Sequence, residues 1–182
     1  MNFQQALKGF LLAPFQPKKT FYSIGLVAQF DKRSTNLLWA AAALWYTMAV
    51  LMRYREADFP FLVLFISITI PFLFQTIGLA MVIRLLSKPI IKHELTNLSA
   101  RSVVVISYLP AILTQIFGSL YPMYGEYVYY VGLLWIGITA GFGIATLRMV
   151  DVKLGLANSL VAVIIIVILT RMFYRVIFPW LF

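Results

Sequence analysis

The sequence predicts an all-α fold, a polytopic membrane helix bundle of about five transmembrane helices behind a short N-terminal amphipathic helix, and three observations predict it. Of 182 residues, 62% are hydrophobic and 16% aromatic against 12% charged, with a mean hydropathy of +0.91, where soluble domains are about 45–50% apolar. The apolar residues gather in runs that can cross about 30 Å of hydrocarbon at about 1.5 Å per helical residue. Lysine and arginine concentrate in alternate connections between those runs, the bias that orients membrane proteins.

Taken in order, residues 1–35 read as a cytoplasmic amphipathic and basic segment, and residues 36–182 as a five-span transmembrane domain. Phe3, Leu7, Phe10 and Leu11 recur at helical spacing while Gln4, Gln5 and Lys8 fall elsewhere, which gives a short helix one apolar stripe. Such a helix either lies flat among headgroups or packs on the protein's own helices. Pro14 and Pro17 end it, and Lys18 and Lys19 follow as a lipid-headgroup or partner contact. Lys8 and Pro14 break the first apolar run and no A-x-A-like site follows, so the pattern is not that of a signal peptide.

The spans are expected at 36–52, 59–83, 102–121, 127–147 and 156–178, the first being the shortest and ending in "RYREAD". Eleven of the 15 basic residues, from Lys8 to Lys153, fall on one side, and Arg53, Arg55, Arg171 and Arg175 on the other. That places the N terminus in the cytoplasm and the C terminus outside. Arg171 and Arg175 lie in the last third of the final span, where long side chains snorkel outward beside Tyr174 and before Trp180 and meet an anionic lipid or a partner.

Charge and motif together exclude several classes of function. The net charge of +9 comes without any basic soluble module, so it points to anionic lipid and the orientation bias, not to nucleic acid. The absence of cysteine removes disulfides, thiolate ligands and cysteine nucleophiles. His93-Glu94 opens "HELTN" and not H-E-x-x-H: Asn97 stands where the second zinc ligand belongs, and the chain has no other histidine. The stretch reads as a connector, with Pro89 closing the preceding helix, Ile90, Ile91, Leu95 and Leu98 forming an apolar side, and Glu94 neutralising a neighbouring lysine. Asp151 is expected to pair with Arg148. The remaining acids are scattered over both faces, so no catalytic residue, metal ligand or cofactor is expected.

Within the spans, Gly137, Gly141 and Ala145 recur every four residues and clear one helix face for close approach, within the bundle or against another subunit. Pro71 and Pro110 favour kinks. Gln75, Thr76, Thr114 and Gln115 beside them satisfy freed backbone groups, bridge the helices, or line a small polar cavity between spans two and three. "YPMYGEYVYY" turns at Pro122 and Gly125, sets five tyrosines at the interface as an aromatic belt, and leaves Glu126 solvated.

The stretch "RLLSKPIIKHELTNLSARSVVVISYLPAIL", with Ser107-Tyr108-Leu109-Pro110 in the span after a polar connector, resembles the core of the Yip (Ypt-interacting protein) domain family. The N-terminal "APFQPKKTF" and the span count extend the resemblance over nearly the whole chain. Tyr108 and Pro110 match a family position, and the resemblance implies that they shape span three. No D-L-Y-G-P motif is present and only about 35 residues precede the first span, so the chain resembles a prokaryotic inner-membrane member and a small GTPase partner is not implied. The expected function is that of a non-enzymatic adaptor or accessory subunit of a larger membrane complex or membrane-trafficking system, with anionic lipid and another membrane protein or a second copy as partners. The alternative is a small transporter or lipid-handling protein that uses the polar cavity.

Overall fold

The computed structural model describes residues 3–27, 32–52 and 60–177, and every regular element among them is helical. The expected Arg53, Arg55 and Trp180 lie outside the described residues. In chain order the α-helices are α1 (Phe3–Leu12), α2 (Pro17–Val27), α3 (Lys32–Leu51), α4 (Phe61–Ile91), α5 (Asn97–Ile106), α6 (Leu109–Leu120), α7 (Gly125–Arg148) and α8 (Val152–Ile177). Among the described residues, four stretches are long and apolar enough to cross a membrane: Phe61–Ile91, Asn97–Leu120, Gly125–Arg148 and Val152–Phe173. The first expected span, α3, falls outside that set because it opens on the polar run "KRSTN" and sets its alanines between two tryptophans.

The long helices run alternately between two ends. One carries Arg84, Glu94 and Arg148 and is called here the basic end; the other carries Tyr121, Tyr124 and Glu126 and is called the tyrosine end. At the basic end α4 does not stop at Pro89 as its sequence suggests. Proline at 89 removes only its own bond to the carbonyl of residue 85 in a last turn that is largely exposed, and the helix runs on to Ile91. Lys92 then ends it in the left-handed conformation, φ 57°. The connector is held from both sides. Arg84 donates to Asn97 Oδ1 at 2.9 Å and pairs with Glu94 at 3.5 Å, while Arg148 donates to the Glu94 carbonyl at 2.8 Å. Glu94 therefore pairs with an arginine and not a lysine. Asp151 does not pair with Arg148 but accepts the backbone N–H of Lys153 at 2.8 Å, satisfying a donor at the start of α8.

Pro110 has the larger effect. Lacking an N–H, it stands in the first turn of α6, and the span breaks into α5 and α6 at Ser107 and Tyr108. The break turns the Tyr108 side chain fully into the core. Between α7 and α8 the helices touch backbone to backbone. A Cβ on Gly141 would lie 2.8 Å from the Leu156 Cα and one on Gly137 2.9 Å from Leu160 Cδ2, while one on Gly155 would overlap the Gly141 carbonyl. Ser159 Oγ donates to the Gly137 carbonyl at 2.7 Å across this seam.

Residues 1–35 are not a separate layer where they are described. Phe10, Ala13 and Phe21 have no exposed surface and belong to the main core. The Trp135 indole donates to the Pro14 carbonyl at 3.2 Å, Phe15 meets the same ring edge-on at 6.0 Å, and Phe10 packs on Trp45 at 5.9 Å. Phe21 fills the space in front of Gly143, where a Cβ would come within 2.8 Å of its ring. Trp135 stands roughly 20 Å from the Arg148 end of its helix at about 1.5 Å per residue. Thus α1 and α2 form a helical hairpin whose Pro14–Pro17 turn reaches the middle of α7. Of the expected apolar stripe, Phe10 and Leu7 face the bundle and Leu11 faces outward.

Candidate functional site

Hydrogen bonding fixes a polar line across the bundle. Tyr108 Oη donates to Gln75 Oε1 at 2.7 Å, and Gln75 Nε2 donates to Tyr129 Oη at 2.6 Å. One amide thereby joins the break between α5 and α6, the buried face of α4 and the tyrosine-end half of α7. An aromatic cluster holds it in place: Phe72 packs on Tyr46 at 4.9 Å and edge-on against Tyr108 at 5.0 Å, the kind of geometry that adds to simple burial. Each partner explains the others' burial, since an amide or phenol left unpaired there costs about 1–3 kcal/mol.

Gln75 and Tyr129 of this line border a cavity of about 630 Å³ whose lining extends to Gly125 and Glu126 at the tyrosine end. Its walls come from five helices: Tyr46 and Val50 of α3, Pro71, Phe72 and Gln75 of α4, Gln115 of α6, Glu126, Tyr129 and Tyr130 of α7, and Val167, Thr170, Arg171 and Arg175 of α8. The size is that of pockets that hold small organic ligands, about 300–1,000 Å³. At the mouth, Arg171 pairs with Glu126 at 2.9 Å, hydrogen-bonds Tyr130 Oη and lies over the Tyr130 ring at 5.2 Å. Tyr130 Oη in turn donates to Glu126 at 3.3 Å.

Several expected site residues converge here and others do not. Gln75, Gln115, Arg171 and Arg175 share one cavity, although the sequence places the glutamines and the arginines in separate roles. Thr76 and Thr114 do not line it. Thr76 sits about 100° around α4 from Gln75, where its hydroxyl accepts the Trp39 indole N–H at 2.9 Å and donates to the Phe72 carbonyl at 2.9 Å. Thr114 donates to the Ala111 carbonyl at 3.0 Å and faces Gly132 of α7. The cavity is therefore not a two-helix crevice between α4 and α6. Gly137, Gly141 and Ala145 face α8. Lys18 and Lys19 are exposed on the first turn of α2, beside the turn that reaches Trp135, so a headgroup contact requires their long stems to extend along the bundle surface. Tyr108 and Pro110 lie at the break between α5 and α6, outside the cavity lining, and Tyr108 acts on the cavity by holding the Gln75 amide.

Sequence reasoning missed Glu126, Tyr129, Tyr130, Val167 and Thr170 as site residues. Glu126 is not simply solvated, and two of the five belt tyrosines turn inward. A signal was present in the spacing: Glu126, Tyr129 and Tyr130 lie at i, i+3 and i+4 on one helix, and Val167, Arg171 and Arg175 at i, i+4 and i+8 on another, each a single face. What no spacing reveals is that the two faces oppose each other. No protein-family model, no curated protein and no solved structure matches this chain.

Proposed function

We propose that the chain is a non-enzymatic multi-pass membrane protein that handles lipid, holding an amphiphile by its head in the cavity at the tyrosine end. The observation that carries this reading is the convergence of Gln75, Gln115, Tyr129, Arg171 and Arg175 on one open space of about 630 Å³. A bundle that served only as a spacer would fill that space with side chains, because protein interiors pack to near-crystalline density. The adaptor or accessory-subunit reading has less support, since the small-residue face that motivates it is already occupied by α8.

The proposal includes α3 as a fifth span, the Yip-type resemblance and the prokaryotic inner membrane, with the N terminus cytoplasmic and the tyrosine end outside. Supporting the span, α3 is 20 residues long, about 30 Å. It is also tied into the bundle by Thr35 to Ser102 at 2.9 Å, Trp39 to Thr76 at 2.9 Å and the Ala49 carbonyl to Ser119 at 2.7 Å. The test is native mass spectrometry of protein released from lipid nanodiscs. One retained amphiphile per chain is expected for the wild type, and Val167→Phe, which fills the cavity from α8, is expected to lose it. Unchanged retention in that variant removes the cavity from the account.

A further inference from the structure

Four polar groups of the cavity lining, on Tyr129, Thr170, Gln115 and Arg175, carry donor hydrogens that no acceptor among the described residues takes up. Tyr129 Oη accepts from Gln75 Nε2, so with the Gln75 amide in this orientation the phenolic proton remains free for a further acceptor. Thr170 is 4% exposed, lines the cavity, and its hydroxyl has no hydrogen-bond partner, although a helical threonine ordinarily turns its hydroxyl to a carbonyl one turn back. Gln115 lines the cavity from α6, and its amide bonds to no described residue. Arg175 faces the cavity and pairs with no acid among the described residues, and Arg171 shares its charge with Glu126 alone. Two guanidinium groups against one carboxylate leave the lining net positive by one.

From this donor array we infer that the cavity selects an oxyanion head, a phosphate ester or carboxylate not neutralised by a cation of its own, bound between Arg175 and Arg171 with Tyr129, Thr170 and Gln115 donating to its oxygens. The inference rests on the amphiphile reading above and narrows its ligand class. A guanidinium fork suits a phosphate or carboxylate because two parallel N–H groups meet two oxygens. Glu126 acts as the stand-in acceptor. Its pair with Arg171 has both side chains more than half exposed, and such pairs contribute little on their own, so an incoming anion displaces the carboxylate readily. The space is that of a head and its first carbons, so hydrocarbon chains remain outside the polar lining.

The test uses the full chain in nanodiscs of neutral phosphatidylcholine doped with phosphatidylglycerol, with occupancy of each lipid read by native mass spectrometry. The expected result is at least tenfold enrichment of phosphatidylglycerol on the wild type, loss of that enrichment in Arg175→Gln, partial recovery in Arg175→Lys, and a rise in occupancy in Glu126→Gln as Arg171 is released. A parallel series adds glycerol phosphate and inorganic phosphate. Displacement of the lipid by either assigns a free anion as the source, and no displacement assigns a lipid headgroup, both within the proposed chemistry. Equal occupancy by the two lipids, or enrichment that survives Arg175→Gln, overturns the anion inference while leaving amphiphile binding intact. Absence of both lipids from the wild type overturns the amphiphile reading itself.

Discussion

The two ends of this bundle solve the same packing problem in opposite ways. Toward the basic end, the space beside α3, α5 and α7 is occupied by the α1–α2 hairpin, whose Phe10, Ala13 and Phe21 are completely buried. Toward the tyrosine end, the space among α3, α4, α6, α7 and α8 stays open and is lined by amides, phenols and arginines. The chain thus recruits extra residues to close one end and leaves unpaired donors at the other. Filling a cavity is among the easiest routes to added stability, so an open polar cavity opposite a filled apolar one reads as space kept for a ligand.

The largest effect that sharpens this contrast is expected at the filled end. Phe21→Ala removes a buried ring from the contact with Gly143 and should cost about 3–5 kcal/mol, measured by unfolding in mild detergent. A loss below about 1 kcal/mol would mean that the hairpin is not part of the core. Gln75→Leu comes next. It leaves the Tyr108 and Tyr129 hydroxyls without their shared partner, and a cost of about 1–3 kcal/mol is expected, with the double variant Gln75→Leu, Tyr108→Phe recovering part of it. At the basic end, Lys92→Gly and Met149→Gly relieve the left-handed caps at φ 57° and 53°, and each should stabilise by about 1 kcal/mol. The smallest change in stability is expected at the open end. Gln115→Leu removes no hydrogen bond to a described residue and should shift stability by less than about 0.5 kcal/mol, yet it should reduce lipid retention in nanodiscs several-fold.

The all-helical architecture and the four long apolar helices were legible because each is a local property of composition and length. Their limits were less so. Proline at 89 marks no boundary, since its cost falls on one exposed carbonyl, whereas Pro110 marks a full break, because it follows a Ser-Tyr pair whose tyrosine finds a buried partner on α4. The stripe of Phe3, Leu7, Phe10 and Leu11 announced an apolar face but not what covers it. That depends on α3 and α5, where Phe10 meets Trp45 at 5.9 Å, a partner with no signature in the stripe itself. The candidate site was half legible. Gln75, Gln115, Arg171 and Arg175 stand out as polar residues in apolar surroundings, but the pairing of Glu126 with Arg171 across 45 residues has no local signature. Thr76 and Thr114 stand out for the same reason as the glutamines and turn out to face α3 and α7, since composition does not say which way a helix is rotated.

The contrast between a filled and an open end is tested most directly by thiol reactivity, because the chain contains no cysteine of its own. Ala13→Cys and Val167→Cys, each in otherwise wild-type protein in nanodiscs, would be exposed to a small maleimide and the rate of alkylation followed by mass spectrometry. Val167 lines the cavity and is partly exposed, whereas Ala13 is fully buried. The account predicts that the thiol at 167 reacts and is slowed by added phosphatidylglycerol, while the thiol at 13 stays unmodified until the protein unfolds. Equal rates at the two positions, or a thiol at 167 as silent as the one at 13, would contradict it.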